Sequence, residues 1–424
     1  MRNWAGNVTY RARMIHEPAS IDEVRAIVRD VGRRGGRVRA LGTRHSFSDV
    51  ADTVGDLLSV TGLPRRFEVD GSARTVTIDA GVRIGELAPA LDRAGLALHT
   101  MASLPHISAA GAVATATHGS GVTRPNLSSA VVAMELVTAD GDLIRLDRRD
   151  DPDVVDGAVV SLGGLGIVTA LTLAVEPAYA MRQDVYEDLP ITAFCERFDE
   201  IAGMAESVSF FTGWRGPTID QVWVKSRVEP GRRVDLPDRL HGAMPATVER
   251  HPIRGLDPAA ATPQLGAVGQ WYERLPHFRL DHTPSSGDEL QAELFVDRRD
   301  AAEAFLALDR MRDDLVPLVQ VSEIRTIAAD GLWLSPAYRR DSVAFHFTWV
   351  SDAVAVRPML RRVEAALERF EPRPHWGKLS SISPEAVRSR YERSSEFAAL
   401  VERLDRRGVF RNGFVERYVL GAPA

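Results

Sequence analysis

The segment from residue 290 to residue 378 restricts the fold more than any other. Residues 290–296 read as a strand, 300–313 as a helix, and 318–327 and 342–350 as strands. A second helix covers 353–370, with Val356, Leu360, Val363 and Leu367 on one face, and an extended segment follows near His375. Strand–helix–strand, stated twice, is the split pattern in which two helices cover one face of an antiparallel sheet. Strand side chains alternate between faces. In 342–350, Val343, Phe345, Phe347 and Trp349 share one side, while Ala344, His346 and Thr348 share the other. The apolar set belongs under the helices. The polar set then shares the uncovered face with Glu323 and Arg325, and Lys378 joins them. Such a group suits a polyhydroxylated molecule, which needs several donors and acceptors, and a cation there can stabilise a developing alkoxide. A solvated face carrying ordinary surface charges is the competing reading of the same pattern.

The first third alternates helix and strand. Ser20 and Glu23 form a capping box opening an amphipathic helix over 21–34, which Gly35 and Gly36 end. Strands are expected at 38–41, 75–79, 130–138, 143–146 and 167–175, with a helix at 84–94. Asp140-Gly141 marks a hairpin. Pro177 marks a boundary between domains. Residues 180–285 are less regular, with strand-like pieces at 208–212 and 221–227 and long loops over 229–268. No internal repeat stands out.

Two glycine-bearing loops, Gly42–Phe47 and Thr115–Gly121, have small residues whose backbone N–H groups can face an anion; each taken alone also reads as an ordinary tight turn. Neither is a G-x-G-x-x-G fingerprint, and none occurs in the chain, which weighs against a nicotinamide dehydrogenase. No Walker A motif, His-Glu-x-x-His or nucleophile elbow is present, so neither a metal site nor a serine hydrolase is expected.

Composition narrows the class further. With 424 residues, a net charge of −6 and interspersed charges, the chain is not a dedicated nucleic-acid binder. One cysteine excludes a disulfide framework. No stretch approaches the roughly 20 apolar residues that cross a bilayer, and Met1 to Tyr10 has no signal-peptide core, so a cytoplasmic protein is expected. Only two of the basic residues are lysines, Lys225 and Lys378, against fifty arginines.

Several longer motifs remain. They are Asn3-Trp-Ala-Gly-Asn7, His45-Ser-Phe47, Met101-Ala-Ser-Leu-Pro-His-Ile-Ser108, Thr115–Gly121 and 161–168. In the second half they are Trp271-Tyr-Glu-Arg-Leu-Pro-His277, Glu323-Ile-Arg325, His346-Phe-Thr-Trp349, His375-Trp-Gly-Lys378 and Phe410-Arg-Asn-Gly-Phe414. In these the chain resembles the alditol oxidases (xylitol and sorbitol oxidases) of actinobacteria, flavoenzymes of the vanillyl-alcohol-oxidase type that are related to sugar-lactone oxidases. The resemblance runs over essentially the whole chain.

It implies a two-domain α+β fold: an FAD-binding domain of two subdomains (1–178), a substrate-binding cap with a helix-covered antiparallel sheet (179–408), and a tail returning to the first domain (409–424). It implies that Gly42, Thr43, Arg44, His45, Ser46, Phe47, Ser103, Ser108, Gly111, Thr115, Thr117, His118, Gly119, Ile167, Val168 and His375 hold FAD, with His45 attached covalently to the flavin. Thr43-Arg44 departs from the smaller residues commoner there and suggests an extra phosphate contact. The family pattern places Ser103, Glu323, Arg325, His346, Thr348 and Lys378 at the substrate, with Lys378, Arg325 and Glu323 catalytic. The expected reaction oxidises the terminal hydroxyl of an open-chain polyol to the aldose and reduces O2 to H2O2, with neutral Lys378, Glu323 or a water taking the proton. An aldonolactone oxidase or dehydrogenase is the alternative within the family, and a flavin-free carbohydrate-binding protein the alternative outside it. No nucleic acid or membrane partner is expected, and the chain is expected to be a monomer.

Overall fold

The computed structural model describes residues 1–282 and 288–421. The last three residues of the expected tail and residues 283–287 lie outside the described part.

Near the N-terminus, Met14–His16, Asp56–Ser59 and Val38–Leu41 form a parallel three-stranded sheet. The helix Ile21–Arg33 is the crossover that links the two outer strands, Met14–His16 and Val38–Leu41, on either side of Asp56–Ser59. Ser20 caps it by accepting from Glu23 N at 3.2 Å, while the Glu23 carboxylate reaches back to Ala19 N at 2.9 Å. Its Val24, Val28 and Val31 pack with Val38, Leu58, Val137 and Ile167. Beside this layer lies an antiparallel five-stranded sheet in the order Phe67–Asp70, Thr75–Asp79, Ile167–Ala174, Val131–Val137, Leu143–Asp147. The Asp140-Gly141 turn closes its last hairpin, with Gly141 at φ 76°.

The rest is organised by a nine-stranded sheet. Its second half follows the sequence pattern. Glu289–Asp297, Val319–Ile327, Ser342–Val350 and Arg373–Pro374 pair so that the third strand lies between the second and first, and the fourth is at the outer edge. The helices Ala301–Asp309 and Ala353–Leu367 cover one face. Val343, Phe345, Phe347 and Trp349 are buried beneath them, each contributing about 1.5–3 kcal/mol of transfer free energy. The helix expected over 300–313 breaks in two. Met311 N bonds Leu308 O at 2.9 Å, a tighter turn, and the helix restarts at Arg312–Leu315.

The first half of this sheet departs from the sequence reading. Residues 180–190 form an eleven-residue strand, Ala180–Pro190, followed by the helix Ile191–Ala202. With Ser207–Thr212, Thr218–Val228 and Met244–Pro245 they repeat the strand order of the second half, and the halves join edge to edge where Ser207–Thr212 pairs with Val319–Ile327. The repeat is topological. Where the second half has its second helix, the first half has the irregular stretch 229–243.

The tail packs on the N-terminal layer. Val38 N donates to Val409 O at 2.8 Å, and Asn412 Nδ2 donates to Val50 O and Asp52 O. Buried Arg39 donates to Gly163 O, Val50 O and Phe410 O at 2.6, 2.6 and 2.9 Å. One side chain thus joins the tail to the two segments that flank the N-terminal loops. Among the described residues no helix is long and apolar enough to cross a membrane.

Candidate active site

A cavity of about 530 Å3 runs from the N-terminal loops to the uncovered face of the large sheet, within the usual size of small-molecule sites. Three backbone segments frame its N-terminal end, and each holds a non-glycine residue at positive φ: Arg44 at 64°, Ala116 at 55° and Leu162 at 51°. Such conformations persist where the surroundings over-determine them. Gly42 approaches Ser108 so closely that a Cβ would fall 2.4 Å from its Oγ. Thr43 Oγ1 accepts from Ser108 N at 3.1 Å. The Arg44 guanidinium turns to Arg2 O at 3.4 Å.

His45 stands at this end with its ring stacked on Trp4, centroids 5.4 Å apart. Its Nδ1 is buried without a hydrogen-bond partner. Burial, then the charges of His106, Arg83 and Arg44, lower its pKa to about 4, so the ring is a neutral nucleophile near pH 7. An unpartnered buried ring nitrogen beside backbone-lined loops fits a flavin, and these residues can hold one.

Of the residues expected to hold the cofactor, Gly119 and Ile167 do not line the cavity. Gly119 packs against Thr100 and Met101. Ile167 points into the core beside Val24 and Val28, because strand alternation sends Val168, not Ile167, to the cavity. The others expected from sequence line it, as do Ser103, Glu323, Arg325, His346, Thr348 and Lys378.

The register explains the cluster. Glu293, His346 and Glu323 sit opposite one another on three adjacent strands, with Gln291, Thr348 and Val321 as the next row. Sequence reasoning missed Glu293, which is central. It is completely buried, with Oε1 2.6 Å from Arg325 Nη2 and Oε2 2.8 Å from Lys378 Nζ. Burial alone would raise its pKa, but the charges of Lys378 and Arg325 outweigh that and hold it well below the carboxylate range. The signal was available: Gln291 and Glu293 alternate with Ala292 and Leu294, so their face is polar.

Lys378 reaches this cluster because its segment is anchored to the first loop. Phe47 N donates to Gly377 O at 2.6 Å, and Ser48 Oγ to Trp376 O at 2.7 Å. Its Nζ lies 2.6 Å from His346 Nδ1. Burial lowers the Lys378 pKa against the pull of Glu293. Burial, then Lys378, lowers that of His346 to about 4, so His346 is neutral and accepts at Nδ1. Arg325 Nη1 donates to Ser103 Oγ at 3.0 Å. Burial would make Arg325 less basic, but Glu323 and Glu293 raise its pKa. Glu323 is held low against burial by Arg325 and His277. His118, Glu293 and His375 bring ligand atoms within 4.8 Å of one another. Glu293 is committed to two cations, however, and their charge opposes a metal ion there.

Comparison with known proteins agrees with this geometry. Residues 12–147 match an FAD binding domain, and 289–418 match the D-arabinono-1,4-lactone oxidase family. The chain is 48% identical over 418 residues to an alditol oxidase of Streptomyces sp., covering 97% of each chain. It is 31% identical to the L-gulono-1,4-lactone dehydrogenase of Mycobacterium tuberculosis, over 99% of this chain and 98% of that one. The fold matches cholesterol oxidase from B. sterolicum with a TM-score of 0.78 at 15% identity, covering 99% of this chain and 96% of that chain. The fold is therefore that of a two-part α+β flavoprotein, and the chain belongs to the alditol oxidase family of FAD-dependent oxidoreductases.

Proposed function

We propose that the protein oxidises the terminal C1 hydroxyl of open-chain alditols such as xylitol and sorbitol to the aldose, using FAD attached through His45 and reducing O2 to H2O2. The observation that carries this reading is the pair of cations, Arg325 and Lys378, fixed by one buried carboxylate in a cavity that continues to the flavin-type loops. FAD, when bound, supplies the hydride acceptor and the route of electrons to O2.

The protein's own part is orientation and proton handling. Arg325 and Lys378 bind the reacting hydroxyl and its neighbour. Glu323, Thr348, His346 and Ser103 offer a mixture of acceptors and donors to the remaining hydroxyls. Lys378 takes the hydroxyl proton. Its neutral amine donates to His346 Nδ1 at 2.6 Å and keeps a lone pair for the substrate. Burial lowers its pKa from 10.5, toward the range where a general base works best.

Oxygen uptake and peroxide formation across C3 to C6 polyols and gulono- and galactonolactones test the reading. Peroxide from polyols supports it; turnover on lactones alone overturns it. The lactone reading rests on the D-arabinono-1,4-lactone oxidase match over 289–418. Dye reduction by polyols without peroxide would assign a dehydrogenase instead.

A further inference from the structure

The chain's other lysine has no part in the proton handling just described. Lys225, on Thr218–Val228, is completely buried. Its Nζ lies 2.7 Å from Leu275 O, 2.9 Å from Pro276 O and 3.0 Å from His277 Nδ1. Burial pulls the Lys225 pKa well below 10.5, against the charge of Glu323. Yet three acceptors converge on Nζ, one for each N–H bond of an ammonium, and the planar fork of arginine does not suit acceptors that converge on one point. Burial, then the Lys225 charge, lowers the His277 pKa to about 4. The neutral ring accepts at Nδ1, so its proton lies on Nε2, which donates to Glu323 Oε1 at 2.6 Å.

The imidazole is held on every side. Phe211 and Trp223 meet it edge-on, each with centroids 5.4 Å away. His277 N donates to Ser103 O at 3.1 Å, and it is Ser103 whose hydroxyl accepts from Arg325. Among the described residues, both contacts of the Glu323 carboxylate fall on Oε1: His277 Nε2, and Arg325 Nε at 3.5 Å. Oε2 is the oxygen left for the cavity.

We propose that Lys225 and His277 are positioning residues for Glu323: the ammonium fixes the His277 tautomer, the Nε2–H holds Oε1, and Oε2 is presented to a hydroxyl of the polyol. This rests on the alditol reading and specifies one part of its binding site. The groups facing Glu323 are Arg325 on its own strand, His346 opposite, Glu293 and Lys378 beyond, and His277 backed by Lys225. Removing the His277 donor removes one of the two groups that keep Oε1 occupied, and it makes the carboxylate easier to protonate.

The test uses flavin-loaded Lys225→Met, His277→Phe and His277→Gln enzymes, with kcat and KM measured for xylitol. Lys225→Met and His277→Phe are expected to raise KM by about tenfold while kcat stays within about twofold of the parent. His277→Gln, whose amide can donate to Glu323, is expected to recover much of the lost KM. Should Lys225→Met not fold, the two His277 variants carry the same readout. The proposal is overturned by flavin-loaded variants whose KM stays within about twofold of the parent or whose kcat falls as much as KM rises, or by equal losses in His277→Gln and His277→Phe. If the parent enzyme oxidises no polyol, the alditol reading fails; if it does and the variants match it, only the positioning role fails.

Discussion

Glu293 Oε2 lies 2.8 Å from Lys378 Nζ, and both groups are enclosed by the sheet and the segment that follows it. The same carboxylate holds Arg325 through its other oxygen. The two cations of the site therefore share one buried counter-charge, and their positions relative to each other are set by it.

Removing that charge leaves two cations incompletely compensated. Glu293→Gln is expected to lower the unfolding free energy by about 3–5 kcal/mol near pH 7, the usual cost of breaking a buried ion pair on one side. The sign with pH follows from linkage. The folded-state pKa of Glu293 lies well below the usual 4.5, so its contribution is complete above that value and is lost as pH falls through the folded value. Urea unfolding of parent and variant should give a constant gap from about pH 6 to 8 that narrows below about pH 4.5. Equal midpoints at neutral pH would contradict the role.

Lys378 should leave its mark on the pH profile. Burial lowers its pKa from 10.5, and the neutral form is the one that accepts a proton. The value of kcat/KM for xylitol should therefore rise with pH along a limb whose midpoint lies below 10.5. A profile that falls over the same range would assign the proton to another group.

His45→Ala should release the flavin from covalent attachment. Acid-precipitated parent protein is expected to stay yellow and the variant's pellet to be colourless. Because the ring is neutral above about pH 4, attachment in apoprotein given FAD should proceed at a similar rate across neutral pH. A yellow His45→Ala pellet would move the link elsewhere.

The strand Ser342–Val350 was legible to the residue, because its two faces differ sharply in polarity. Parity also grouped Glu323, Arg325, His346 and Thr348. Glu293 was not recovered, because residues 290–296 were read as a strand without a division into faces, so the alternation of Gln291 and Glu293 with Ala292 and Leu294 went unused. His277 stood at the end of the Trp271–His277 motif but was given no role, for a different reason. It lies in an irregular segment whose position is fixed by Lys225 binding backbone carbonyls, which no periodicity records. Ala180–Pro190 was missed because Arg182, Asp184 and Glu187 gave it a loop-like composition, although Met181, Gln183 and Val185 are buried. The matching strand order of the two sheet halves lies in the connections, and a helix in one half is replaced by loops in the other.

The most direct test of the account is the turnover of flavin-loaded Lys378→Arg on xylitol. Arginine keeps the positive charge and can face Glu293, but it does not deprotonate in proteins and offers no lone pair. A loss of about a hundredfold or more in kcat, with flavin absorbance unchanged and the alkaline rise abolished, is the predicted result. Near-normal turnover with the rise intact would contradict it.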